Sequence, residues 1–223
     1  MKKIGSFFYT LMQSFCLLIV PCVCAYCKVF LAQRTIFCTD CAWRMFPIVS
    51  KKIDITNSFS VTVFAITDYK DPLKKLILAK GWSDGLASRN LGNLLWDMTT
   101  ISSLDYDIIV PVPLHWTRYA SRGFNQAEEI GKVIQQKKNV PLIHLLKRVK
   151  KTAFQFELAS SMRGINVKDA FELNVVDQSL YKDKHILLID DLMTTGSTIR
   201  EAAKELLRLK PKTISVAVIC RVI

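Results

Sequence analysis

Residues 185–198 read HILLIDDLMTTGST. Ile186 to Ile189 form a continuous apolar run, which suits a buried strand of a parallel sheet rather than a half-wet one. Sheets of that kind are covered by helices on both faces, so this one stretch points to the α/β class. The strand then runs straight into two adjacent carboxylates, Asp190 and Asp191. Small hydroxyl residues around a single glycine follow them. Ligands of such sheets sit beyond the carboxyl ends of the strands, where this strand delivers its acids.

The rest of the chain supplies the matching elements. DIIVPVP (107–113) is a second short apolar run suited to a buried parallel strand, and FSVTVFAIT (59–67) alternates well enough for another. Asp71-Pro72 opens a helix with Pro72 at its first position, and LKKLILAK continues it to Gly81. A second helix is predicted over 84–99. A basic, glycine-containing loop follows the strand at 107–113 and leads to a helix over about 124–137. Residues 142–149 are part strand, and 150–168 are read as a long mobile loop. Ser197 to Leu209 is a helix with Ile199, Ala202, Ala203, Leu206 and Leu207 as its apolar face, and 213–222 closes the sheet. Strands alternating with helices fit a parallel α/β core. Repeats and low-complexity segments are absent from the sequence.

The chemistry at 190–198 follows from the turn. Consecutive backbone N–H groups at a strand-to-helix turn, together with the helix N-terminus, make an anion nest. Gly196 lets the backbone approach a phosphate closely. Thr194, Thr195, Ser197 and Thr198 add hydroxyl donors. Two carboxylates beside a phosphate repel it unless they face neutral hydroxyls or a divalent cation. A sugar phosphate with Mg²⁺ satisfies that requirement: phosphate in the nest, ribose hydroxyls on the acids. A capped helix after a buried strand explains the threonines and serine but not the acid pair. A P-loop is excluded by the lack of Gly-Lys-Ser/Thr, and no GxGxxG accompanies a strand.

Six of the seven cysteines lie between Cys16 and Cys41, and Cys220 stands far away. A disulfide framework would spread them more evenly. Cys24-Ala-Tyr-Cys27 and Cys38-Thr-Asp-Cys41 are two Cys-x-x-Cys turns separated by ten residues. Two such turns suit a tetrahedral Zn²⁺ held by four thiolates at about 2.3 Å, a closed and therefore structural site. Cys22 is a substitute ligand by position, and Cys16 is read as core. Clustered cysteines of this kind argue for a reducing compartment.

Ahead of the cysteines, Lys2 and Lys3 precede an uncharged run from Ile4 to Cys27. Its start is that of a signal peptide or a span, but polar residues interrupt it and Pro21 ends it. Phe8, Met12, Phe15, Leu18 and Ile19 recur at helical spacing. Residues 1–20 are read as an amphipathic helix packed on the domain or touching a membrane surface. The organisation is then that helix, a knuckle at 21–46, a linker at 47–58 and an α/β domain at 59–223. The net charge of +12 leaves two readings open: a basic surface, or an anionic partner such as nucleic acid or a phosphorylated small molecule. Much of the surplus lies between Lys132 and Lys168.

ILLIDDLMTTGST resembles the phosphoribosyl pyrophosphate (PRPP) motif of type I phosphoribosyltransferases. VPVPLHWTRYASRGFNQAEEI (110–130) is similar to the signature of the ComF family of competence proteins. So are the cysteine pairs, DYKDPLKKLILAKGW (68–82) and the series Arg148, Thr152, Gln155, Leu158, Arg163, Asn166 and Phe171. Two departures are Gly81, which separates the lysine from Trp82, and the strongly apolar first helix. The resemblance spans nearly the whole chain. It implies a type I phosphoribosyltransferase-like parallel sheet flanked by helices, with a small N-terminal four-cysteine zinc knuckle. It also implies a cytoplasmic protein that binds PRPP with Mg²⁺, with Asp190 and Asp191 on the ribose and Met193 to Thr198 (Met193, Thr194, Thr195, Gly196, Ser197, Thr198) around the phosphate.

Carried onto the other motifs, His115, Arg118 and Arg122 stand where a diphosphate needs positive charge, arginine binding two oxygens at once, although His115 taken alone reads rather as a packed imidazole. Asn125 either caps the next helix or meets the ligand. The segment 150–168 is either a lid, with Lys151, Gln155 and Arg163 closing on PRPP or gripping nucleic acid, or equally a solvated basic loop. Phe154 and Phe156 are stacking rings or lid packing. No residue declares itself a general acid or base. Three functions stay open: a competence factor that handles single-stranded DNA with the uptake machinery, at the inner face of the membrane if residues 4–20 touch it; a phosphoribosyltransferase acting on an unidentified acceptor; and a PRPP-sensing regulator without turnover.

Overall fold

The computed structural model describes residues 22–33, 35–45, 50–78, 85–150, 168–174 and 177–222. The chain divides into two compact units, Met1–Met45 and Phe46–Ile223. The first helix expected over 1–20 lies outside the described residues. Among those described, no helix is long and apolar enough to cross a membrane.

In the smaller unit the chain reverses between Val23 and Phe30, which form an antiparallel bridge. A short helix, α1 (Thr39–Trp43), follows. The larger unit holds a five-stranded sheet of β1 (Lys51–Thr56), β2 (Phe59–Asp68), β3 (Ile108–Pro111), β6 (His185–Met193) and β7 (Thr213–Arg221). Its order is β1-β2-β7-β6-β3. β2, β7, β6 and β3 run parallel, and β1 pairs antiparallel to β2. The acid-bearing strand β6 therefore has a hydrogen-bonded neighbour on each side. A separate two-stranded ladder joins β4 (Leu146–Arg148) to β5 (Phe171–Leu173).

Helices cover both faces because both are apolar. On one, α6 (Ser197–Leu207) buries Ile199, Ala202, Ala203 and Leu206 against Ile108, Val110, Ile186, Leu188, Val216 and Val218. On the other, α5 (Gln126–Lys138) lies so close that a methyl group on Gly131 would meet Leu142 Cδ1 at 2.7 Å and Ile109 Cγ2 at 3.5 Å. α3 (Gly85–Met98) packs beside α5 on the same face, over β2 and β7, with Leu91, Leu95, Ile130 and Ile134 all fully buried. Two short helices complete the unit: α2 (Leu73–Leu78) after β2, and α4 (Trp116–Arg122) after β3.

Two expectations are corrected. The linker assigned to 47–58 contains β1: Ile53 and Ile55 are buried while Lys51, Lys52, Asp54 and Thr56 face solvent. That is the two-residue alternation of a half-covered strand, with Asn57-Ser58 turning the chain into β2. The basic loop before 124 holds α4, because His115 caps its start and Gly123 ends it at φ 80°. The last strand and the helices at 84–99 and 124–137 form within one or two residues of their expected bounds.

Candidate functional site

β6 continues to Met193, farther than the apolar run alone implied, because its backbone stays paired with β7 as far as Arg221. Asp190 and Asp191 therefore stand on a strand that β7 still pairs along one edge, just past the point where β3 ends opposite Ile189. The neighbouring ends are pinned too. Asp68 Oδ1 accepts from Arg221 Nε at 3.0 Å, with both side chains mostly buried, and the Val222 N–H donates to the Met193 carbonyl at 2.7 Å.

The two acids differ. The Asp190 carboxylate accepts a hydrogen bond from the Asp191 N–H at 2.9 Å. Burial, and then the charge of Asp191, push the Asp190 carboxyl well above the usual carboxylate range; the charge of Arg148 on β4 pulls the other way. A half-buried acid under that pressure is poised for a partner that offers hydroxyl donors or a cation.

Next, Gly196 adopts φ 77° as the N-cap of α6, and no side chain of its own caps that helix. A methyl group there would meet Ile53 Cδ1 at 3.3 Å, so β1 forms the wall behind the turn. Thr195 Oγ1 and Ser197 Oγ share a hydrogen bond of 2.6 Å. Arg200 Nη1 holds the Thr195 carbonyl at 2.9 Å and so braces the turn from below. The Met193 side chain is buried in the core beneath it, while Thr194 and Thr198 are half-buried. Backbone donors and hydroxyls thus converge at a helix start beside two acids, an arrangement made for a phosphate and a diol.

Across from the acids stand guanidinium groups. The Arg148 guanidinium lies over the Phe171 ring, 5.3 Å from its centroid. Burial lowers its pKa first, then the charge of Arg118 on α4, while Asp190 and Asp191 raise it. Arg118 and Arg148 thus come from different elements to the neighbourhood of the acid pair, and an anion between them would relieve their repulsion. Arg148 had no assigned role in the sequence reading; its place at the head of the series ending in Phe171 was the signal.

The remaining expected residues are placed more structurally. His115 is buried, with Nδ1 2.9 Å from Thr117 Oγ1 and within reach of the Thr117 N–H at 3.4 Å. Arg122 Nη1 donates to Gln126 Oε1 at 2.8 Å. Asn125 caps α5 by accepting from the Ala127 N–H at 3.2 Å, and its Nδ2 donates to the Val112 carbonyl at 3.0 Å. Lys151, Gln155, Arg163, Phe154 and Phe156 lie outside the described residues. The ends of that segment are clasped: the Val149 N–H donates to the Ala170 carbonyl at 2.9 Å and Lys150 Nζ to the Lys168 carbonyl at 3.0 Å.

In the smaller unit, Cys24, Cys27, Cys38 and Cys41 bring their sulfurs within 4.8 Å of one another. Tetrahedral ligation at about 2.3 Å needs sulfurs roughly this close, so the set fits a metal ion. Its first turn closes by a Lys28 N–H bond to the Cys24 carbonyl at 3.0 Å, with Lys28 at φ 65°. Its second is the start of α1, with Cys38 as N-cap and Cys41 buried. Burial opposes ionisation of Cys24, but the backbone N–H groups of Cys27, Cys38 and Tyr26 outweigh it and hold the thiol down at about 6. Burial and the neighbouring thiols push Cys41 up to about 12. Cys22 lies outside the cluster.

Comparison with known proteins agrees with this geometry. The phosphoribosyl transferase domain model matches residues 121–223. The DNA utilization protein YhgH of Salmonella typhimurium is 29% identical over 219 residues, covering 89% of this chain and 90% of that one. Competence protein F of Haemophilus influenzae is 34% identical over 158 residues, covering 68% of this chain and 69% of that one. Competence protein ComFC of Bacillus subtilis is 34% identical over 112 residues, covering 49% and 42%.

Proposed function

Because the chain belongs to the ComF family of phosphoribosyltransferase-fold proteins, we propose that it binds PRPP at the β6–α6 turn and supports the handling of single-stranded DNA in natural transformation. The observation that carries the PRPP reading is the pairing of Asp190 and Asp191 with a helix start that its N-cap glycine leaves open. Asp190 and Asp191 take the ribose hydroxyls, the turn from Thr194 to Thr198 takes the 5′-phosphate, and Arg118 and Arg148 face the diphosphate. Mg²⁺, when bound with PRPP, supplies charge neutralisation at the diphosphate. The DNA reading rests on the relatives named above and on the net charge of +12.

The four thiols suit structural zinc, holding together a unit too small to build a large core. Chelation is expected to release one zinc per chain, and none from Cys24→Ser/Cys41→Ser.

Calorimetry tests the main reading. PRPP added with Mg²⁺ is expected to give saturable heat, and labelled single-stranded DNA is expected to bind with a steep salt slope. No PRPP heat at saturating Mg²⁺ would remove the PRPP reading. No strand binding at low salt would remove the DNA reading and leave PRPP binding standing.

A further inference from the structure

The core does not account for helix α4. None of its seven residues is buried. Trp116 is 72% exposed and Tyr119 49%. Large rings left in water forgo the burial that dominates aromatic energetics. Three positions apart on a helix, they share one face. The same helix carries Arg118 and Arg122 and no acidic residue. It is held from its ends: His115 caps it, with its ring 5.9 Å from that of Trp116, and the chain leaves through Gly123. Arg118 lies near enough to Arg148 for the two charges to repel, and Arg148 feels the acid pair, so the helix stands beside the site.

We propose that the Trp116–Tyr119 face of α4 is a stacking platform for the bases of single-stranded nucleic acid, with Arg122 on its phosphates. This rests on the DNA reading above and adds the place where the strand is held. Aromatic faces accept any base, and arginine neutralises the backbone. A protein partner would also favour Trp, Tyr and Arg. The absence of any carboxylate from α4, in a chain of net charge +12, favours the polyanion.

The test uses the full chain and a fluorescent oligo-dT, with anisotropy read across salt concentrations. Trp116→Ala/Tyr119→Ala is expected to bind about tenfold or more weakly, with an unchanged salt slope because no charge is altered. Trp116→Phe is expected to stay near the parent, since a ring remains. The parent should bind an abasic strand as weakly as the double variant binds oligo-dT. Unchanged PRPP heat in the double variant reports an intact fold. If the double variant binds oligo-dT as the parent does, or the abasic strand binds equally well, the platform is refuted while the DNA reading stands. A parent that binds no strand refutes both. Loss of a protein partner with strand affinity retained assigns the surface to protein and overturns the proposal.

Discussion

β3 and β6 are parallel neighbours in one sheet, yet the chain leaves their shared edge in opposite ways. After β3 the start of α5 is closed by a side chain, Asn125 accepting from the Ala127 N–H at 3.2 Å, and at the start of α4 His115 Nδ1 lies 3.4 Å from the Thr117 N–H. Asn125 also ties α5 back to the strand end through the Val112 carbonyl. After β6 the N-cap is a glycine in the left-handed region. Four hydroxyl residues surround it, the N-cap residue has no side chain to close the helix, and Thr195 Oγ1 lies 3.4 Å from the Ser197 N–H. The lesson is local. A helix start closed by its own side chain is complete in the apo fold, whereas one left open keeps its donors and dipole for an incoming anion.

Substitutions on the two turns should therefore separate binding from stability. The largest effect is expected at the acids. Asp190→Asn/Asp191→Asn should weaken PRPP binding by about a hundredfold or more in calorimetry with Mg²⁺. The same comparison predicts that the single change Asp190→Asn stabilises the apo protein. A raised carboxyl pKa means that the folded state holds its proton more tightly than the unfolded chain. Its stabilising contribution is present below the unfolded value and is lost as pH rises through the folded one. Asparagine removes that loss, so the melting temperature near neutral pH, without PRPP and Mg²⁺, should rise by about 2–4 °C for each kcal/mol recovered. A melting temperature that falls would break the contrast.

Gly196→Ala comes next. It places a side chain at φ 77° and against Ile53. A stability loss of about 1–2 kcal/mol is expected from chemical denaturation. PRPP affinity should fall roughly tenfold, equivalent to about 1.4 kcal/mol. The smallest binding effect belongs to the closed side. Asn125→Ala should cost about 1–2 kcal/mol of stability, through the lost cap and the unmet Val112 carbonyl, with PRPP affinity little changed. Equal losses of binding from Asn125→Ala and Gly196→Ala would erase the distinction.

Much of this edge was legible in the sequence because its signals are local. Apolar runs gave β3 and β6, the spacing of Ile199, Ala202, Ala203 and Leu206 gave α6, and the two Cys-x-x-Cys turns gave the sulfur cluster. What escaped depends on contacts distant in sequence. β1 carries only Ile53 and Ile55 on its buried face, and it becomes a wall of the turn by pairing with β2 and meeting Gly196. α4 buries nothing, so it has no apolar stripe to announce it. β5 is three residues long, too short for a periodicity to register, whereas β4 falls inside the part-strand expected over 142–149. Arg148 gains its meaning only when that ladder brings it beside the acids.

The place of β6 between β7 and β3 has a dynamic consequence. Amide protons along Ile186–Ile189 are locked on both edges, so their exchange with solvent should require opening of the entire sheet. The carboxylates at the tip extend directly from that two-sided segment, with Asp190 still paired to Val218 of β7, so the sheet holds them in place for an incoming ligand.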